Sequence, residues 1–248
     1  MQPQKQLKIL LIGDSCTDEY VYGTCERLNP EAPVPILKFN RKDTTRGMAW
    51  NVRENLMSFG MEVYILTNDE PIKKTRYIDE RSNQHILRVD DERPLQPMDY
   101  DLPEDEYDAL VISDYDKGFL TAKRIQELVD WFDGPVFIDS KKTKLPKKDC
   151  YLKINEVESR LLKGYKNLIV TKGAGGADYN KVNYPGEKTK IVDVVGAGDT
   201  FLSALVYFYL VCGRIEKAIP YANKAASVAV QNFGTYVLTE EDVKNLRD

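Results

Sequence analysis

The run Asp193-Val194-Val195-Gly196-Ala197-Gly198-Asp199-Thr200-Phe201 leads directly into the apolar segment Leu202 to Cys212. Strand, glycine turn and helix in immediate succession mark the seam of an α/β sheet. Gly196, Ala197 and Gly198 leave backbone N–H groups uncovered at a helix N-terminus, where unpaired donors and the helix dipole favour an anion. Asp199 adds a carboxylate at the same spot, so one turn offers donors to a phosphate and a base to a proton. That pairing points to phosphoryl transfer. An aspartate in a first turn is equally well explained as a partner of the helix dipole, and bare spacing leaves both readings open.

The rest of the chain has the periodicity that such a turn needs. Leu7 to Ile12 is a short apolar run closed by Gly13 and Asp14, which predicts a buried strand of a parallel sheet. Ala109–Ile112, Val136–Ile138, Tyr151–Ile154 and Leu168–Thr171 repeat the pattern, as does Val63–Leu66. Between them, Arg46–Phe59, Ala122–Phe132, Phe201–Cys212 and Ala222–Phe233 read as helices, with Thr121 as a cap and Thr239 with Asp242 as a capping box for a terminal helix. Pro30, Pro33 and Pro35 exclude a helix between Tyr20 and Phe39, and Thr75–Ile78 with His85–Val89 fit a hairpin turning at Asn83. The expected architecture is a three-layer α/β/α sandwich over residues 1–248, with a mainly parallel sheet and a small β lid from segments near 20–40 and 74–90.

Polar groups gather at the strand ends, where ligands bind in such sheets. Asp14 and Asp18 are placed to accept hydrogen bonds from sugar hydroxyls, exposed turn acids being the alternative. Arg76 and Arg88 on the hairpin are placed to meet a sugar phosphate, a solvated lid surface being the alternative. Asn155 and Glu158 are three apart and share a face on a helix.

Charge and composition narrow the partners. A formal net charge of -4 with a sequence pI near 5.3 argues against a nucleic-acid surface, and small molecules are expected instead. The one basic cluster, Lys141, Lys142, Lys144, Lys147 and Lys148, reads as a solvated loop. Cys16, Cys25, Cys150 and Cys212 show neither zinc nor disulfide spacing, which fits a reducing cytoplasm. His85 is the only histidine, so a carboxylate base is favoured over a histidine triad. The apolar stretches are too short for a bilayer, and no membrane contact is expected. NAD binding is disfavoured because GxGxxG does not occur.

VDVVGAGDTF resembles the C-terminal signature of the ribokinase-like (PfkB) sugar kinases, with Val195 where threonine is usual. GDSCTDEYVYG followed by RLNPEAPVPILK resembles the opening of the heptose 7-phosphate kinase domain of bifunctional ADP-heptose synthases, and SDYDKG resembles that branch's SDYGKG. The resemblance implies an ATP-dependent carbohydrate kinase under a β-sheet lid, with Asp199 as the base and the Gly196, Ala197 and Gly198 amides around the transferring phosphoryl group. It implies sugar contacts at Gly47 and Asn51, with Arg46 in place of a first glycine. It places Lys141, Asn155, Thr171, Gly173, Gly176 and Asn223 beside the nucleotide, and magnesium near Asn155 and Glu158 through water. A monovalent cation beside Asp193 and a homodimer through the lid also follow from it. A helix and strand of the resembled kinases are missing between Leu66 and Thr75, which leaves a sheet edge open. With Arg46, Val195 and these deletions, the rival expectation is a catalytically weak sugar-phosphate or nucleotide binding protein that keeps the fold.

Overall fold

Ile9, Leu10, Leu11 and Ile12 in strand β1 (Lys8–Gly13) are all fully buried, and the pleat sends alternate residues to opposite sides. Ile9 and Leu11 join one apolar cluster, Leu10 and Ile12 another. The computed structural model describes residues 6–147, 150–162 and 164–247; Lys148 of the lysine cluster lies outside them. After β1 come β2 (Ser15–Leu28), β3 (Pro35–Met48), α1 (Ala49–Ser58), β4 (Glu62–Thr67), β5 (Lys73–Asp79), β6 (Gln84–Asp91) and β7 (Ala109–Asp114). Then follow α2 (Ala122–Trp131), β8 (Val136–Ser140), β9 (Tyr151–Asn155), α3 (Glu156–Ser159), β10 (Leu168–Thr171), β11 (Ala177–Tyr179) and β12 (Val182–Tyr184). Three helices close the chain: α4 (Ala197–Cys212), α5 (Ile215–Ala229) and α6 (Glu240–Arg247).

The larger sheet has the order β12-β11-β10-β9-β8-β7-β1-β4, parallel from β4 to β10 and antiparallel only in its last two strands. β7 repeats the two-sided burial of β1, with Val111 in one cluster and Leu110 and Ile112 in the other. Helices α1, α4, α5 and α6 cover the first face, and α2 covers the second through Ile125, Leu128 and Val129. The fold is ribokinase-like in this respect: helices flank both faces of a mostly parallel sheet, and polar residues end its strands. At the other end β4 is an edge strand, and Tyr64 on it is 48% exposed. This is the open edge expected from the missing helix and strand.

β3, β2, β5 and β6 form a separate four-stranded sheet in that order. Its strands outrun the expected lid segments, because β2 starts immediately after β1 and β3 runs to Met48. Arg46 and Gly47 therefore belong to β3, not to a helix start. Met48 at φ 56 breaks the strand, and Ala49 N–H donates to Asp14 O at 3.0 Å as α1 begins. The expected helix Ala222–Phe233 instead spans Ile215–Ala229 and contains Pro220, whose breaker character hid its first turns from the sequence. The helix after Asn155 is short and stops at Ser159. The β11–β12 hairpin, at three residues a strand, is too short for a periodicity to announce it. No helix of the described residues is long and apolar enough to cross a membrane.

Candidate functional site

Gly196 is the N-cap of α4 and sits at φ 78, ψ -8, a left-handed conformation that glycine adopts without strain. A Cβ there would also lie 2.8 Å from Asn51 Nδ2. The amides of Asp199 and Thr200 both return to Gly196 O at 3.0 Å, whereas that of Ala197 reaches Val194 O only at 3.4 Å. Asp199 N–H is thus already spent, and the donors at the mouth of the turn are those of Ala197 and Gly198.

Asp199 itself is buried, and both its oxygens are held. Asn51 Nδ2 donates to Oδ2 at 2.8 Å, and Tyr115 Oη donates to Oδ1 at 2.7 Å. Burial raises the carboxyl pKa above its ordinary value; the two donors and the charge of Lys153 oppose that rise. Tyr115, partly buried, is pushed well above the usual phenol range by desolvation and then by Asp199.

Lys153 was not foreseen. It is the one charged side chain in the strand Tyr-Leu-Lys-Ile-Asn, and a buried lysine beside apolar neighbours is the signal that was available. Its ammonium pairs with Asp139 Oδ2 at 2.5 Å and lies so close to the turn that a Cβ on Gly198 would stand 2.9 Å from it. Tyr115 was missed as well, although it lies within SDYDKG.

A cleft of about 490 Å³ opens beside the turn, and Thr171, Gly173, Gly176, Ala197, Gly198 and Asn223 all line it. The structure therefore brings together residues that are scattered over some fifty positions of sequence, roughly a fifth of the chain. Asn223 uses its amide to hold Tyr184 O and Pro185 O at 2.9 and 3.2 Å. Ala226, Ser227 and Val230 supply the small and apolar side of the cleft.

The four-stranded sheet carries residues expected to meet the sugar. Asp18 is buried there against Gly47, where a Cβ would fall 2.0 Å from Asp18 Oδ2, and Arg76 is paired with Asp18 Oδ1 at 2.5 Å. Arg88 is paired in register with Arg76 but reaches outward, half exposed, to Asp90. Arg46 is exposed and stacks on Trp50, 4.3 Å from the ring centroid.

Asp14 is fully buried, and its Oδ2 accepts the amides of Tyr115 and Lys117 at 2.6 and 3.3 Å, so it anchors the loop that carries Tyr115, while its Oδ1 has no hydrogen-bond partner. Its pKa is raised to about 6 by burial and by neighbouring Asp114.

Asn155 and Glu158 form a reciprocal capping box at 2.9 Å in both directions, and Glu158 Oε1 also takes Lys141 Nζ at 2.5 Å. Lys141 is held above the usual lysine pKa: burial opposes its charge, but Asp139, Glu158 and Asp199 outweigh it. Among the described residues no group of three His, Cys, Asp or Glu could hold a metal ion. A protein cage for magnesium does not fit, whereas Glu158 fits as an acceptor for the waters of an ion carried on phosphates. Asp193 takes Val195 N–H and Gly234 N–H at 3.1 and 3.0 Å, so it ties the turn to the loop after α5.

Residues 143–242, which hold the Asn155 box, the glycine turns and the Asp199 helix, match the model of the pfkB family carbohydrate kinases. That match takes in 100 of the 248 residues, so this part of the chain is similar to the family. The bifunctional protein HldE of Nitratiruptor sp. is 31% identical over 299 residues, covering 96% of this chain and 64% of that protein. Its counterpart in Helicobacter acinonychis is 29% identical, covering 95% of this chain and 65% of that protein. The chain thus spans just under two thirds of the length of these relatives. The fold recurs in the ribokinase of Thermotoga maritima, with a TM-score of 0.74 at 18% identity over 97% of this chain and 99% of that one. Escherichia coli phosphofructokinase-2 in complex with potassium gives 0.71 at 15% identity, covering 97% of each chain.

Proposed function

We propose that this chain is an ATP-dependent kinase that transfers the γ-phosphoryl group to a hydroxyl of a sugar or sugar phosphate, with heptose 7-phosphate the first acceptor to test. One observation carries the reading: the buried Asp199 carboxylate, held by Asn51 and Tyr115, directly follows Ala197 and Gly198, which line the cleft of about 490 Å³. The similarity to HldE and the resemblance of the first strands support the heptose acceptor.

The cleft receives the nucleotide, with Thr171, Gly173 and Gly176 along one wall and Asn223 at its floor. Asp199 accepts the proton of the attacking hydroxyl, a task that suits a base whose pKa burial has raised above its ordinary value. The Ala197 and Gly198 amides and the Lys153 ammonium face the charge that develops on the transferring group. Magnesium, when bound with ATP, neutralises phosphate charge, and Glu158 and Asn155 orient its waters. A monovalent cation beside Asp193 is retained as a proposal from the potassium complex of phosphofructokinase-2. The exposed Leu28, Phe39, Leu87 and Val89 on the lid sheet support a homodimer through that sheet.

The test is ADP release with magnesium and ATP across heptose 7-phosphate, fructose phosphates, ribose and adenosine. Wild type should turn over at least one acceptor, and Asp199→Asn should lose about a thousandfold in kcat. Tight sugar-phosphate binding without ADP from any acceptor would favour the rival binding protein.

A further inference from the structure

Three arginines placed on or beside the lid are committed elsewhere: Arg76 to Asp18, Arg88 to Asp90, Arg46 to the face of Trp50. Two lysines are held differently. Glu92, just past β6, lies between Lys117 Nζ, which donates to its Oε2, and Lys74 Nζ, 3.6 Å from its Oε1. That Oε1 atom is buried and has no hydrogen-bond partner. All three side chains are largely buried, and together they carry one net positive charge.

Glu92 is not needed to hold its own segment in place. Leu95 N–H donates to Lys117 O at 2.9 Å, and Met98 N–H to Phe119 O at 2.7 Å, so the return from the lid is already fixed to the loop after β7 by backbone bonds. What the carboxylate does instead is sit, half-satisfied, between two ammonium groups. A phosphomonoester carries about -1.5 to -2 charges near pH 7 and three acceptor oxygens. It matches two lysines better in charge and in hydrogen-bond capacity than one carboxylate does.

The location is suited to a substrate's far end. Lys74 shares the inner face of the lid with Asp18, its register partner on β2, and its ammonium lies 5.8 Å from the centroid of the Tyr115 ring. The Tyr115 hydroxyl is on Asp199, so one tyrosine side chain touches the base with its tip while its ring lies beside the Lys74 ammonium.

We infer that Lys74 and Lys117 form the subsite for a phosphate already carried by the acceptor sugar, and that Glu92 holds this place until the substrate displaces it. The inference rests on the kinase reading for where the reacting hydroxyl lies. It makes the chain a consumer of monophosphorylated sugars, so a reaction that phosphorylates a free sugar or isomerises a sugar monophosphate must supply its substrate.

Calorimetric binding of matched pairs tests it: heptose and heptose 7-phosphate, fructose and fructose 6-phosphate, ribose and ribose 5-phosphate, with ADP release measured on the same samples. Wild type should bind the phosphorylated member of its best pair at least tenfold more tightly. Lys74→Met and Lys117→Met should each cut that preference below threefold while leaving affinity for the unphosphorylated member unchanged, and Lys123→Met on exposed α2 should change neither. Glu92→Gln, which removes no lysine, should tighten sugar-phosphate binding threefold or more. The inference is overturned if no pair shows the preference, if the lysine variants keep it or weaken both members equally, or if Glu92→Gln fails to tighten binding. A phosphate preference that follows these variants without ADP from any acceptor would leave the subsite standing and remove the kinase reading.

Discussion

Tyr115 Oη stands 2.7 Å from Asp199 Oδ1 and donates to it, on the side of the carboxylate away from Asn51. The tyrosine comes from the loop after β7, and that loop is pinned from below by Asp14. Its donated proton stabilises the ionised form of a carboxylate that burial disfavours.

Tyr115→Phe keeps the ring and removes that donor. The Asp199 carboxyl should then titrate higher still, because one of the groups lowering its pKa is gone. A base must be ionised to act, so activity falls as pH drops through its pKa. The acid limb of the kcat/KM profile should move upward by about half a unit to one unit, with kcat near pH 8 reduced less than tenfold. A limb that stays in place would deny Tyr115 this role.

Lys153→Met separates fold from chemistry. Breaking a buried ion pair leaves Asp139 unpaired and should cost about 3–5 kcal/mol of stability by urea melting. The double variant Lys153→Met with Asp139→Asn should recover most of that stability, since no isolated charge is left. Its kcat should stay down by about a hundredfold or more, because no ammonium then faces Gly198. Recovery of rate along with stability would make the pair structural only.

The fold was legible where periodicity was strong. Strand β1 and its repeats show as apolar runs because both faces of the parallel sheet are covered, and α2 shows through its cap and stripe. The pieces that escaped are those that tertiary contacts decide. Gly47 lies within a strand because its backbone pairs with Cys16 and packs against Asp18, which no local pattern records. The candidate site was legible at its glycine turns and at Asp199, where backbone geometry demands particular residues. Lys153 and Tyr115 reach Asp199 or its turn across 46 and 84 positions, and only folding reveals such neighbours.

Gly47→Ala tests the lid side of the site. The added methyl would fall 2.0 Å from Asp18 Oδ2 and 2.8 Å from Cys16 Sγ, so Asp18 must move and its pair with Arg76 must reopen. Overpacking of this kind costs about 1–3 kcal/mol. The acceptor KM should rise tenfold or more while KM for ATP, bound in the cleft beside the turn, stays within twofold. Equal rises in both would show that the two sites are not separate.

Asp14→Asn should stabilise the protein, against the usual outcome for a buried polar substitution. The folded-state pKa of Asp14 is raised to about 6 from 3.8, with burial the largest cause and Asp114 the next. Between those values the folded chain binds more protons than the unfolded one, so stability falls as pH rises through this window and the loss is complete above it. Two units correspond to at most about 3 kcal/mol. Asparagine keeps an oxygen for the Tyr115 and Lys117 amides and places an amide where Asp14 Oδ1 now has no partner. Urea melts should show Asp14→Asn more stable by about 1–3 kcal/mol near pH 7.5, with the difference shrinking toward zero near pH 4. A variant equally destabilised at both pH values would mean that Asp14 is held as a fully satisfied carboxylate, and that the anchor of the Tyr115 loop depends on its charge.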